Sequence, residues 1–182
     1  MSLARPTDLP ESTLLAQLRR DGSYVDCFSL TLPIAATQAE FIEAFYTSKL
    51  FKAERFIIRL LAGKRSTDEQ AAELAAGSGS AFAVWQVTAR TANEILLTDA
   101  SGRTSSWLMA VPIGTAGGSS TGLFFGSAIK PRRASSAAGG QPQFGRLFHA
   151  VLGLHNLYSR WLLEAAAHRL AGTAARTARG DA

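Results

Sequence analysis

Two periods of apolar residues run along the chain, and each predicts a different kind of secondary structure. From Tyr24 to Leu32 the pattern has a period of two, with Asp26 and Phe28 on one face and Cys27 on the other. Alternation that includes aromatic and β-branched residues is typical of a strand. Similar patterns predict further strands over residues 82–91, 94–98, 104–113 and 123–129, with a loop over 114–122.

Apolar residues at helical spacing predict the remaining elements. The predicted helices are a short one after Ser12, one over 37–61 with an interruption near Ser48, one from Ser66 or Thr67 to Gly77, and one over 144–170. Thr37 followed by Glu40 fits a capping box. Gly172 is expected to end the last helix, because glycine is the usual residue just after a helix C-terminus.

The order of these elements predicts a single α+β domain over residues 1–182, because a run of antiparallel strands is flanked by segregated helices. The core of the domain is expected over 24–170. Residues 1–22 are expected to be an N-terminal extension and 173–182 a frayed tail. Residues 131–143 are rich in Ala, Ser and Gly and are expected to form a flexible loop.

This order of elements also resembles the helix-grip fold, in which a curved antiparallel sheet wraps a long C-terminal helix. The START and Bet v 1-like superfamily, also called SRPBCC, shares that fold. Two segments are similar to a bacterial family of unknown function, the DUF2867 type: the strand YVDCFSLTLP, followed at once by a helix, and the C-terminal FGRLFHAVLGLHNLYSRWLL. The resemblance covers residues 24–170. It implies binding of an apolar small molecule, with enzymes as a minority of the superfamily.

Charge and composition exclude some partners. The 19 lysines and arginines outnumber the 14 acidic residues, but they are scattered rather than gathered with aromatic residues, so no nucleic-acid partner is expected. No apolar run approaches the roughly 20 residues of a membrane span, and the N-terminal MSLARPTDLPES lacks the apolar stretch of a signal peptide. Cys27 is the only cysteine, which favours a reducing, cytoplasmic setting.

His155 is the most informative candidate for chemistry, because it lies in the middle of the apolar face of the predicted C-terminal helix. An unpaired buried polar group costs about 1–3 kcal/mol, so a buried imidazole needs a partner. Asp26 is the predicted partner, since it shares the inward strand face of Phe28. The pair is interpreted as an acid/base dyad or as the polar end of an apolar ligand pocket. The structural alternative is a core histidine bonded to a backbone carbonyl or to Tyr158.

The predicted ligand site lies between the sheet and the last helix. Its expected residues are Asp26, Phe28, Trp85, Trp107, Phe125, His155, Tyr158 and Trp161. Aromatic side chains suit such a site because they give a large apolar contact with few rotatable bonds to order. The structural requirement is a connected cavity of about 300 Å³ or more that reaches His155. No cofactor is expected, and too few ligating side chains accompany His149 to predict a metal site.

Three functions are compatible with this sequence. The first is a binding module for a small apolar molecule, and the second is an enzyme of the same fold that uses His155 as general acid or base. The third is an interaction protein without a ligand. It rests on residues 107–111 and 123–125, which are apolar on both strand faces, whereas an antiparallel sheet usually keeps one polar face. Either helices of the chain cover both faces or a partner does, so a homodimer is a hypothesis.

Overall fold

The computed structural model of the protein describes residues 2–62, 66–115, 118–130 and 146–180. Its strands are β1 (Arg5–Pro6), β2 (Tyr24–Leu32), β3 (Ala81–Phe82), β4 (Trp85–Arg90), β5 (Glu94–Asp99), β6 (Thr104–Thr115) and β7 (Gly118–Ile129). They form one curled, open sheet in the order β1-β2-β7-β6-β5-β4-β3. Every pairing in this sheet is antiparallel.

One long helix lies across this sheet. The helices are α1 (Leu14–Arg20), α2 (Gln38–Tyr46), α3 (Lys49–Ala62), α4 (Asp68–Ala76) and α5 (Arg146–Gly180). Helix α5 packs against β2 and β7 and also contacts α2. The predicted α+β class, with a curved antiparallel sheet and a long C-terminal helix across it, is confirmed.

Side-chain caps divide the helical region that the sequence predicts over 37–61. Thr37 accepts a hydrogen bond from the backbone N–H of Glu40, and the Glu40 carboxylate accepts one from the N–H of Thr37. This reciprocal pair is the predicted capping box. After α2 ends, the hydroxyl of Ser48 accepts a hydrogen bond from the N–H of Phe51 at 3.2 Å, so a second helix begins there. The predicted interruption near Ser48 is confirmed.

One side of the sheet, called the α5 face, packs against α2, α4 and α5. Its buried strand residues include Phe28, Leu97, Leu108 and Phe125. Aromatic rings from the helices join this core, and the Phe45 ring centroid lies 4.9 Å from that of Phe125. Burying each large apolar side chain contributes about 1.5–3 kcal/mol, so this layer holds α2 and α5 on the sheet.

The opposite side of the sheet, called the α1 face, is covered by α1 and the segment before it. Leu15 and Ala16 of α1 pack with Trp107 and Met109 of β6. The N-terminal segment, predicted as an extension, is therefore part of the folded core. Strand β6 is apolar on both faces because helices of the same chain cover both. The observation that suggested a homodimer thus has an intrachain explanation.

The predicted loop over 114–122 is wrong for most of its length. Strand β6 runs to Thr115 and β7 begins at Gly118, with these two residues as register partners. Backbone hydrogen bonds between strands do not depend on apolar side chains, so a run of Gly, Ser and Thr continues the pairing beyond the apolar part of each strand.

The predicted end of the last helix is also wrong. Helix α5 continues through Gly172 to Gly180, so residues 173–180 are helical rather than a separate tail. A single interior glycine costs only about 1 kcal/mol, which neighbouring helix-forming alanines offset. Thr173 and Thr177 donate hydrogen bonds to carbonyls four residues earlier. The predicted flexible loop over 131–143 lies outside the described residues.

Candidate functional site

Asp26, Ser127 and His155 form a hydrogen-bonded cluster between the sheet and α5. The Ser127 hydroxyl lies 3.0 Å from both carboxylate oxygens of Asp26, and the Ser127 backbone N–H donates to Asp26 Oδ1 at 3.0 Å. His155 Nε2 lies 3.2 Å from Asp26 Oδ2 and 3.0 Å from Ser127 Oγ. An ionised carboxylate only accepts hydrogen bonds, so Nε2 carries the proton that faces Asp26. The predicted Asp26–His155 contact is present.

Strand register places this cluster. Asp26 on β2 is the register partner of Ser127 on β7, and Ser127 is in turn the partner of Ser106 on β6. Alternate residues of the same strands, Phe125 and Leu108, lie in the core of the α5 face. Because side chains alternate between faces, these three polar residues form a row on the α5 face, under His155 of the helix.

The Asp26 carboxylate is nearly sealed from solvent, whereas the imidazole is not. The Asp26 side chain is 7% exposed and the His155 side chain 33% exposed. Burial, followed by the negative charge of Asp26, raises the pKa of Cys27 to about 12 and also raises the pKa of Tyr24 above its ordinary value. Cys27 is therefore an inert buried thiol on the α1 face, and it is not a nucleophile.

A cavity of about 230 Å³ lies beside the cluster. Its apolar lining consists of Leu162 and six aromatic residues: Phe45, Tyr46, Phe51, Trp85, Phe125 and Tyr158. The polar lining is Thr104, Ser105, Ser106, Ser127, His155 and Ser159. The cavity reaches His155, as the predicted ligand site requires. Its volume, however, is below about 300 Å³, the size at which pockets for drug-sized ligands typically begin.

Ser159 is a polar group that the sequence reasoning missed. It is 1% exposed and lines the cavity one helical turn after His155. Among the described residues, no partner lies within hydrogen-bonding distance of its hydroxyl. Leaving a buried hydroxyl unpaired costs about 1–3 kcal/mol, so this group is a vacant hydrogen-bonding position on the cavity wall.

The structure brings five of the eight predicted site residues together. Trp85, Phe125, His155 and Tyr158 line the cavity, and Asp26 lies directly behind its Ser127 and His155 wall. Ser127, which connects Asp26 to His155, was not predicted. Its signal was that Ser127 is the one polar residue in the predicted strand over 123–129.

The other three predicted residues do not line the cavity. Trp107 is fully buried on the α1 face, because it is the register partner of Gly126 whereas Leu108 pairs with Phe125 on the α5 face. Trp161 is 49% exposed, because α5 is rotated so that Leu162 is turned inward instead. Phe28 is buried in the core on β2, one strand farther from the cavity than its register partner Phe125.

The cluster differs from the catalytic arrangement of a serine hydrolase. In that arrangement the serine and the acid bond to different nitrogens of the histidine ring. Here Ser127 Oγ and Asp26 Oδ2 both lie at Nε2, and Ser127 is only 4% exposed. The geometry supports an imidazole held in one orientation, with Nδ1 as the nitrogen that lacks a partner among the described residues.

Among the residues that the structure describes, no group of three or more His, Cys, Asp or Glu side chains is arranged to hold a metal ion. In the described ranges, none of the helices combines the length and apolar character needed to cross a bilayer.

Comparisons with protein-family models, with curated proteins and with solved structures give no match to this chain. Fold and site together define a class: an α+β, helix-grip-like protein with a polar cluster at one end of an aromatic cavity.

Proposed function

We propose that this protein binds a small, mostly apolar molecule in the cavity between the sheet and α5. The observation that carries the proposal is the composition of the cavity wall, which combines six aromatic side chains and a leucine with hydroxyl groups and one imidazole. Binding sites for small molecules have this division between an apolar wall and sparse polar groups that fix orientation. The volume of about 230 Å³ limits the ligand to a compact molecule.

Ser159 supports the same proposal independently. Its hydroxyl is buried, borders the cavity, and has no partner among the described residues. A buried polar group of this kind is unfavourable in a cavity that stays dry, whereas a ligand with one hydrogen-bonding group would satisfy it.

A cavity-filling variant tests this proposal. Toluene, benzyl alcohol and cyclohexylmethanol would be titrated into the full chain, with binding followed by chemical-shift changes at His155 and Leu162. Ser159→Leu fills the space and should abolish the response to all three probes. His168→Leu, at an exposed position of the same helix, should leave it intact. No response from the unsubstituted chain, or an unchanged response from Ser159→Leu, would contradict a ligand site here.

A second candidate is general acid or base chemistry at His155. Asp26 fixes the ring through Nε2, and the imidazole is one-third exposed, so solvent reaches it. A general acid or base must exchange protons at the working pH. NMR titration of the His155 ring tests this directly, because an imidazole that does not titrate between pH 5 and 8 would rule out the role.

One exposed apolar surface, on α5, still supports the homodimer hypothesis. Leu157 and Trp161 lie four residues apart on α5 and are 39% and 49% exposed. Light scattering at high concentration tests it, and a strict monomer would count against it.

A further inference from the structure

The wall of the cavity restricts the chemical class of its ligand. Resting on the proposed function, we infer that the ligand is a neutral aromatic molecule of one or two rings that carries a hydrogen-bonding group. Four features of the described residues carry this inference: the volume, the arrangement of the rings, the Ser159 hydroxyl, and the distribution of charge.

The volume sets the size of the ligand. An apolar protein cavity of about 150 Å³ is large enough to take up benzene. The present cavity, of about 230 Å³, has room for one substituted ring or for a fused pair of rings. It is too small for a long-chain lipid or for a polycyclic molecule of drug size.

The rings of the wall favour an aromatic occupant over an aliphatic one. Phe45 contacts Phe51 with centroids 5.7 Å apart, and Tyr46 contacts Phe51 edge-to-face at 4.8 Å. Phe125 extends the same cluster on the side of the sheet. Each ring presents a negative face or a positive edge, and an aromatic ligand complements these in offset or edge-to-face contacts. An aliphatic ring of equal volume fills the space without that complementarity.

Ser159 supplies the hydrogen bond that orients the ligand. A hydroxyl both donates and accepts, so it can pair with a ligand hydroxyl, carbonyl or ring N–H. The hydroxyl of Ser127 does not compete for this role, because it is engaged by Asp26 and His155. The Ser159 hydroxyl therefore predicts a hydrogen-bonding group on the ligand.

The distribution of charge among the described lining residues disfavours an anionic ligand. No lysine or arginine is among the described residues that line the cavity. The Asp26 carboxylate lies 3.0 Å behind the Ser127 hydroxyl and accepts a hydrogen bond from His155 Nε2. A ligand carboxylate placed against Ser127 would lie about 6 Å from that buried negative charge, with too few donors to replace its hydration shell. An ionised aromatic acid is therefore expected to bind much more weakly than a neutral ligand of the same size.

Four matched probes test the inference on the full chain at pH 8. Benzyl alcohol carries the ring and the polar group, toluene lacks the polar group, cyclohexylmethanol lacks the aromatic ring, and benzoate replaces the alcohol with an anion. Dissociation constants would be measured by NMR titration. Benzyl alcohol should bind about fivefold more tightly than either toluene or cyclohexylmethanol. Benzoate should bind about 100-fold more weakly, as two like charges about 6 Å apart predict at an effective dielectric constant of about 20.

The Ser159→Ala variant distinguishes the contribution of the Ser159 hydrogen bond to binding from that of the cavity's apolar wall. Alanine is a better helix former and removes an unpaired hydroxyl, so this variant should fold at least as stably as the natural chain. Its affinity for benzyl alcohol should fall about fivefold while its affinity for toluene is unchanged. The exposed His168→Leu change, on the same helix, should alter neither.

The outcomes distinguish this inference from the proposed function. If none of the four probes binds, both fail. If the probes bind but benzoate or cyclohexylmethanol matches benzyl alcohol, the ligand class is wrong and the cavity remains a binding site. Equal losses of benzyl alcohol and toluene in Ser159→Ala would also overturn the hydrogen-bonding assignment.

Discussion

The two faces of the sheet each bury one carboxylate, and they use it differently. Glu94 on the α1 face is 7% exposed, and the Asp26 side chain on the α5 face is also 7% exposed. Glu94 Oε2 accepts hydrogen bonds from Trp107 Nε1 at 2.7 Å and from the backbone N–H of Leu14 at 2.8 Å. Asp26 instead pairs with a histidine at the edge of a cavity.

The difference lies in the donors. An indole N–H and a backbone N–H keep their protons at any pH that leaves the protein folded, so Glu94 is held by fixed groups. Glu94 also stabilises the N-terminus of α1, where a negative charge is favourable. Asp26 is instead held partly by the imidazole of a histidine that lines the cavity. A buried carboxylate is thus structural on one face and a candidate functional group on the other.

The largest expected effect is a loss of folding stability when a buried residue of the α1 face is truncated. Trp107→Ala removes a fully buried ring and the indole donor to Glu94, so it should lower the free energy of unfolding by about 3–5 kcal/mol. Trp161→Ala, at a half-exposed position, should cost less than about 1 kcal/mol. Urea unfolding measures both. Equal losses would show that the α1 face is not the closely packed layer described here.

A smaller effect is expected at Gly126, which lies on the α1 face. A Cβ there would lie 2.5 Å from Leu15 Cδ2 and 2.7 Å from the backbone oxygen of Asp26. Overpacking of this kind costs about 1–3 kcal/mol, so Gly126→Ala should be destabilised by that amount in urea unfolding. Gly114→Ala is the control, because its Cβ meets nothing within 4 Å. A neutral Gly126→Ala would indicate that α1 packs loosely on the sheet.

Replacing each buried carboxylate by its amide tests whether Asp26 and Glu94 differ as described. Asp26→Asn should cost about 1–2 kcal/mol, because charge-assisted hydrogen bonds to Ser127 and His155 become neutral ones. It should also lower the pKa of Tyr24, which is raised first by burial and then by the charge of Asp26. Titration of the Tyr24 ring by NMR measures this shift. Glu94→Gln, the matched change on the other face, should leave the Tyr24 pKa where it is.

The smallest effect is expected at a third carboxylate, Asp99. Burial acts to raise its pKa, but hydrogen bonds from Ser101 and from the backbone of Thr104, Arg103 and Gly102 outweigh burial and hold it below its usual value. A lowered folded-state pKa adds stability above the unfolded pKa of about 3.9, and this stability is lost as the pH falls through the folded pKa.

Asp99→Asn should therefore be less stable than the natural chain at pH 7, by under about 1 kcal/mol, and the gap should close in acid. Urea unfolding at pH 7 and in steps below pH 4 provides the measurement. A gap that persists unchanged in acid would mean that the charge of Asp99 contributes nothing, and only the shape of its side chain does.

Local patterns explain why part of the site was predictable. Alternation over β2 fixes Asp26 on the inward face, and the apolar neighbours of His155 favour the inward side of α5 for it. Packing of α5 on the sheet then brings the two side chains to 3.2 Å. The capping box at Thr37 followed from local spacing in the same way.

The features of the site that the sequence did not predict depend on strand register and helix rotation, which a local pattern does not determine. Strand β6 is apolar on both faces, so alternation does not say which face takes Trp107, and the pairing with Gly126 decides it. Apolar residues cover more than half of the circumference of α5, so its rotation is not fixed by its own sequence. Packing against the sheet turns Ser159 inward and Trp161 outward.

A register shift gives a further example. Val87 pairs with Leu97 and packs with the α5 face, but Ala89 pairs with Leu96 and packs with the α1 face. The irregularity between them reverses the side of the sheet on which the strand's apolar residues lie. Simple alternation would have kept both on one side.

The sequence by itself determined most of the elements, the α+β class and the inward face of Asp26, because these depend on local periodicity. Only the tertiary structure decided the strand register, the rotation of α5 and the addition of Ser127 and Ser159 to the site. It also decided that α1 covers the second face of the sheet. Those outcomes depend on how distant side chains fill space together, and no local pattern encodes that packing.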